Sequence, residues 1–118
     1  MKNYLLLIAS ILFINLSFAQ TVPIDSVASY EGKTVTICSK VQGVFTTRGE
    51  KKTTYISFGN PYPNATFTAI IFDGNLKNFK YNPSEYLKDK NVCLTSKVVM
   101  YKGKPEMILT NEEEVKVE

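Results

Sequence analysis

Two stretches of the chain share one rhythm of apolar and polar positions. Residues 32–46, GKTVTICSKVQGVFT, place Val35, Ile37 and Val41 between polar neighbours, at the period of two that a half-buried strand requires. Residues 89–101, DKNVCLTSKVVMY, repeat the rhythm. Lys33 answers Lys90, Val35 answers Val92, Ile37 answers Leu94, and Ser39-Lys40-Val41 answers Ser96-Lys97-Val98. Two strands of one design near the two ends of a short chain predict a sheet that closes on itself. Gly43 predicts a bulge or bend in the first, as a tightly curved barrel needs at its corners.

Three further strands follow from the same reasoning. Residues 54–59, TYISFG, set Ile56 and Phe58 on one face and Tyr55 and Ser57 on the other. Residues 67–73, FTAIIFD, carry apolar side chains at both parities, so their core face stays open. Residues 106–110 form the fifth strand. Polar or Pro/Gly-rich connections lie at 46–53 (TTRGEKKT), 60–64 (NPYPN) and 102–105 (KGKP). Pro23, with Asp25 or Ser26 as cap, predicts a helical turn or two ahead of Gly32. Asn82-Pro83-Ser84-Glu85 predicts a helix start with proline in the first turn, one of one or two short helices within 74–88. Glu112-Glu113-Glu114 opens an acidic tail, which Val115 and Val117 either return to the barrel or leave as an edge. Strand, strand, strand, short helix, strand, strand is the order of the OB-fold. The expected class is therefore all-β: a five-stranded Greek-key barrel, with the helix between strands three and four. In that barrel the first and fourth strands are neighbours.

The N-terminus changes the picture of where this domain works. Lys2 is followed by a mostly apolar run, 5–18, and Ser17-Phe18-Ala19 sets small residues where signal peptidase reads them. Residues 1–19 are expected to be an export signal, with Gln20 opening a single 20–118 domain. The apolar run is short for a membrane span, and no basic stop-transfer cluster follows it. A secreted or periplasmic protein without a membrane span is expected. Removing 19 residues from 118 leaves 99, enough for one small core. Without Lys2 the balance is 13 basic to 11 acidic side chains, mildly positive and far from the bias of a dedicated nucleic-acid binder.

Export places the two cysteines, Cys38 and Cys93, in an oxidising compartment. Each sits on one of the two matching strands, and each has the parity opposite to its apolar neighbours. Both thiols therefore point to the same side of the sheet, and a cross-strand bridge is expected if the strands pair.

Residues 24–118 resemble the small bacterial OB-fold nucleic-acid-binding domains found alone after a signal peptide or attached to secreted nucleases. The resemblance rests on GKTVTIC at 32–38, FGNPYPNATFT at 58–68, VCLT at 92–95 and YKGKPEM at 101–107. It implies the OB fold and a nucleic-acid ligand. One departure stands out: the turn after the fifth strand often carries Ser, Pro or Gln in such domains, and here it is Asn111 followed by three glutamates.

The chemistry that is missing narrows the function. The chain has no histidine, and no nucleophile elbow, phosphate-binding Gly loop, CxxC or HExxH. Asp25, Asp73 and Asp89 lie on separate elements without ligand-loop spacing, so no metal site and no cofactor is expected. After the signal there is one arginine, Arg48, too few for a nuclease centre; no catalytic residue is assigned and no enzyme is expected.

Binding has a positive case. OB barrels bind across strands two and three, between the loop joining strands one and two and the loop joining four and five. Those loops hold Arg48, Lys51 and Lys52, then Lys102 and Lys104. Tyr55, Tyr62 and Tyr101 supply flat rings. Cations for phosphates and rings for bases are what single-stranded DNA or RNA requires. The expected protein is a monomeric, exported module that binds single strands weakly and without sequence preference. An oligosaccharide or cell-wall glycan ligand, and a docking role on another exported protein, remain as alternatives.

Overall fold

The structure, a computed structural model, describes residues 19–118. The expected export segment lies outside the described residues except for Ala19. Seven strands run in the order β1 Gln20–Thr21, β2 Thr34–Thr46, β3 Thr54–Phe58, β4 Phe67–Ile71, β5 Asn91–Tyr101, β6 Lys104–Ile108 and β7 Val115–Val117. Five of them close the barrel, β2–β3–β4–β6–β5, and β5 pairs back onto β2. This is the OB-fold-like barrel that the pattern predicts.

The matching stretches are partners. β2 and β5 run antiparallel, with Ile37 opposite Leu94 and Cys38 opposite Cys93. Val35 faces Ser96 while Ser39 faces Val92. The repeated sequence therefore builds an approximate two-fold axis across the closing seam. Cys38 and Cys93 are bridged across this pair, with Cα atoms 4.0 Å apart. Beside them the Thr36 and Thr95 hydroxyls hydrogen-bond at 2.7 Å. An intramolecular disulfide is the cysteine usage of an extracytoplasmic compartment. No helix among the described residues is long and apolar enough to cross a membrane.

Alternation fills the core. Val35, Ile37 and Val41 of β2 meet Ile56 and Phe58 of β3, Phe67, Ala69 and Ile71 of β4, and Val92, Leu94 and Val98 of β5. Phe58 and Phe67, paired across β3 and β4, hold ring centroids 5.7 Å apart. The parity left open in β4 is settled here. Phe67, Ala69 and Ile71 point inward, and Ile70 lies outside the core cluster, covered on the outer face.

Between Val41 and Gly43 the β2–β3 register slips by one residue. This is the bulge expected at Gly43. It reverses the parity of the strand: Val44 now packs against the core and Phe45 points outward, 61% exposed.

Several boundaries differ from the expectation, each for a physical reason. The strand expected at 106–110 is Lys104–Ile108, because the hairpin turn takes only Lys102 and Gly103. Both have left-handed backbones, φ +51° and +79°, which twist with the strands and let pairing begin two residues earlier. The N-terminal turn is a 3₁₀ helix, Ile24–Tyr30, whose cap position is Pro23; neither Asp25 nor Ser26 caps it. Two short helices, α1 Asp73–Leu76 and α2 Pro83–Tyr86, lie between β4 and β5. Asn82 caps α2 by accepting from the Ser84 amide at 3.1 Å, as its sequence predicts.

The three glutamates take one of the two expected courses, back to the barrel. They form one 3₁₀ turn, Glu112–Glu114, that returns the chain to β5 as β7. Asn111 and Glu114 close a capping box: the Glu114 carboxylate accepts from the Thr110 amide at 2.6 Å and from the Asn111 amide at 3.3 Å. Glu114→Ala should cost about 1 kcal/mol, and so lower the midpoint of thermal unfolding by about 4–8 °C. An unchanged midpoint in a calorimetric scan would show that the cap does not hold this end.

Candidate functional site

The outward face of β2, β3, β4 and β6 is built by the parity of each strand. Phe45 stands opposite Tyr55, and Tyr55 opposite Ile70, which in turn lies opposite Ile108. In the neighbouring row Gly43, Ser57, Thr68, Glu106 and Val99 follow one another across five strands. Gly43 has open space where a side chain would stand, so the face is lowest at this end of the row.

A groove of about 630 Å³ opens at one edge of this face. Phe45, Tyr55 and Tyr62 give it three rings; Gly43, Ser57 and Pro61 complete floor and wall. Tyr62 is 83% exposed and Tyr55 36%. Ser57 points away from the core and yet is nearly buried, because it forms part of this floor. Three aromatic rings converging on one open groove form a stacking surface for flat or ring-shaped ligands.

The cations expected to accompany these rings are divided between two ends. The β2–β3 loop enters β3 at Thr54, opposite Ile71 at the far end of β4. The β5–β6 turn leads into β6, which runs parallel to β4, so that turn lies beside the loop preceding Phe67. Arg48, Lys51 and Lys52 are therefore separated from Lys102 and Lys104 by the length of a five-residue strand, about 17 Å.

At the first end Arg48 and Lys52 line a second cleft of about 650 Å³, facing Tyr81, Asn82 and Ser84 ahead of and within α2. The loop is pinned there: the Lys52 amide donates to Asp73 Oδ1 at 3.0 Å, and the Thr53 amide donates to the Thr47 hydroxyl at 2.9 Å. Tyr81 is partly buried, and this burial, with Glu112 and Tyr86 nearby, pushes its phenol up to about 12; it remains a hydrogen-bond donor at neutral pH. Lys51 is exposed and lines neither cavity. At the other end Lys104 lies opposite Tyr101, and Lys102 Nζ sits 5.4 Å from the Tyr101 ring centroid. That ring is 57% exposed, with one face engaged by its own lysine.

The expected residues thus form one groove (Tyr55, Tyr62) and two flanking basic loops, not one cluster. Phe45 belongs to the groove and was not among the expected residues. The signal was Gly43: a bulge there turns position 45 outward, whereas unbroken alternation from Val41 points it into the core. On the outer side of the β2–β5 pair Glu118 Oε1 lies 3.1 Å from Cys93 Sγ. That sulfur is bridged to Cys38, so it has neither a proton to donate nor a thiolate to bind a metal.

No protein-family model matches the chain, and no curated protein matches it. Solved structures do. The chain is similar to an aspartyl-tRNA synthetase from Leishmania major Friedlin, with a TM-score of 0.51 and 10% identity over 89% of this chain. It spans 22% of that synthetase chain. It is also similar to the OBody AM1L10, solved bound to hen egg-white lysozyme, with a TM-score of 0.56 and 15% identity over 88% of this chain and 98% of the OBody. At these identities the likeness is one of fold, the closed OB-type barrel.

Proposed function

We propose that the protein is an exported binding module, not an enzyme, that takes single-stranded DNA or RNA on the outer face of β2 and β3. The observation that carries this is the groove in which Phe45, Tyr55 and Tyr62 meet, with basic loops at both ends of the face. Bases stack on such rings whatever their identity, and each stacked base contributes about 1–3 kcal/mol. The phosphates then run toward Arg48, Lys51 and Lys52 at one end and Lys102 and Lys104 at the other. The small net charge predicts weak binding that salt suppresses. The likeness to a chain named as a tRNA synthetase agrees with this reading at the level of fold.

Fluorescence anisotropy with labelled single-stranded oligonucleotides, at low and moderate salt, tests it. Tyr55→Ala and Phe45→Ala should each weaken binding by roughly tenfold through one lost stack. Lys51→Ala/Lys52→Ala should leave stacking intact and flatten the log–log salt slope by roughly 1.4, the value for two lost phosphate contacts on a single strand. Absence of binding at low salt would overturn the reading and pass the groove to an oligosaccharide, whose binding salt leaves unchanged.

A further inference from the structure

Glu106 is out of character on a face flanked by basic loops. It alternates with Met107, which is fully buried in the core, so its side chain lies on the same outer face as the aromatic groove. Its register neighbours are Thr68 of β4 and Val99 of β5, a hydroxyl on one side and an aliphatic side chain on the other. Ser57, in the groove floor, lies in the same row two strands away, about 10 Å. The carboxyl is half-buried. Among the described residues no cation lies within ion-pairing distance of it, and its partial burial pushes its pKa up without a compensating partner. A half-desolvated carboxylate without donors is an acceptor awaiting N–H groups.

Such a group repels phosphate and attracts the donor edge of a base. Among the bases, guanine alone offers two adjacent donors on its Watson–Crick edge, N1–H and the N2 amino group, matching the two oxygens of one carboxylate. Adenine, cytosine and thymine or uracil each offer one donor group there. We infer that Glu106 is a specificity-determining residue that accepts both donors of an unstacked guanine, one or two nucleotides along from the bases held by Tyr55 and Phe45. The inference rests on the single-strand reading above and adds one guanine-preferring position to an otherwise sequence-tolerant groove. The basic loops hold the backbone at the two ends of the face, while its centre meets base edges.

The test compares labelled oligothymidylate probes with the same probes carrying one central guanine, inosine or adenine. The guanine probe should bind about tenfold more tightly than the all-thymine probe, with inosine, which lacks the N2 amino group, close to adenine. Glu106→Gln should reduce the guanine advantage to under about twofold while the all-thymine affinity holds or rises slightly. Two results overturn the inference and leave the single-strand reading standing: equal affinity for all four probes with Tyr55→Ala still weakening each, or a guanine advantage that survives in Glu106→Gln. If no probe binds at low salt, both fall together. A circular-dichroism melt of Glu106→Gln that matches the parent separates loss of recognition from loss of fold.

Discussion

Replacing both Cys38 and Cys93 with alanine should lower the stability of the folded protein by about 4 kcal/mol, the largest effect expected of any change on the surface of the barrel. The bridge joins residues 55 apart in sequence. Without it the unfolded chain regains the freedom of a long loop, and the native state gains nothing in return. The position matters as much as the loop length. Cys38 and Cys93 sit on β2 and β5, the pair that closes the barrel, so the bridge ties its N-terminal strand to its C-terminal half. Neighbouring ties remain, since the Thr36–Thr95 hydrogen bond and the Ile37–Leu94 packing lie beside it. The variant should therefore still fold to the same barrel, with its thermal midpoint lower by about 15–30 °C for a domain of this size. Reductant added to the parent should reproduce the shift in a chemical denaturation series. Coincident curves for parent and variant would sink the idea that the bridge carries this stability. The groove lies on β2 and β3 beyond the bulge, so ligand affinity at low temperature should match that of the parent.

Gly59→Ala should cost about 3 kcal/mol, from two causes that add. The backbone there is left-handed, φ +85°, which an L side chain adopts only under strain. A methyl group would also stand 2.6 Å from Thr66 Cβ and 3.3 Å from Ile24 Cδ1. Thr66 cannot retreat easily, because its amide donates to the Phe58 carbonyl at 2.9 Å and closes the base of the 59–66 loop. Gly32→Ala is the matched control. Its φ is +83°, close to that of Gly59, and a methyl there meets nothing within 4 Å, so only the backbone strain remains. Equal losses in the two variants, read from urea midpoints, would show that the Thr66 collision is relaxed at no cost. Because this loop carries Tyr62 to the groove, Gly59→Ala should also weaken ligand binding in the protein that remains folded, and Gly32→Ala should not act through Tyr62.

Much of the architecture was legible because alternation is a local signal. Val35, Ile37, Val92 and Leu94 share one parity along their strands, and the opposite parity of Cys38 and Cys93 puts both sulfurs on the same side of the sheet. The capped start at Asn82-Pro83 was equally local, a proline in the first turn and an amide acceptor before it. The hairpin turn at Lys102-Gly103 is two residues shorter than the expected one, because Pro105 reads as a turn residue in sequence. In the barrel it sits at the start of β6, ahead of the β4 pairing that begins at Glu106, where its missing N–H costs little. The acidic run Glu112–Glu114 read as a tail because charge is visible in sequence, whereas the backbone amides that Glu114 accepts from are not.

The class of the domain is written in local signals: five barrel strands, a short helical link between the third and fourth, a matching first and fourth strand, and two cysteines able to meet. Those features depend on side-chain period and turn chemistry, which neighbouring residues carry. Tertiary structure decided the site. A one-residue slip at Gly43 turned Phe45 outward to join Tyr55, because parity after a bulge depends on the partner strand. The parallel pairing of β4 with β6 sent the two basic loops to opposite ends and set Glu106 in the row of Ser57 and Thr68. Register between distant strands is a property of the closed sheet, so these neighbours exist only once the barrel has closed.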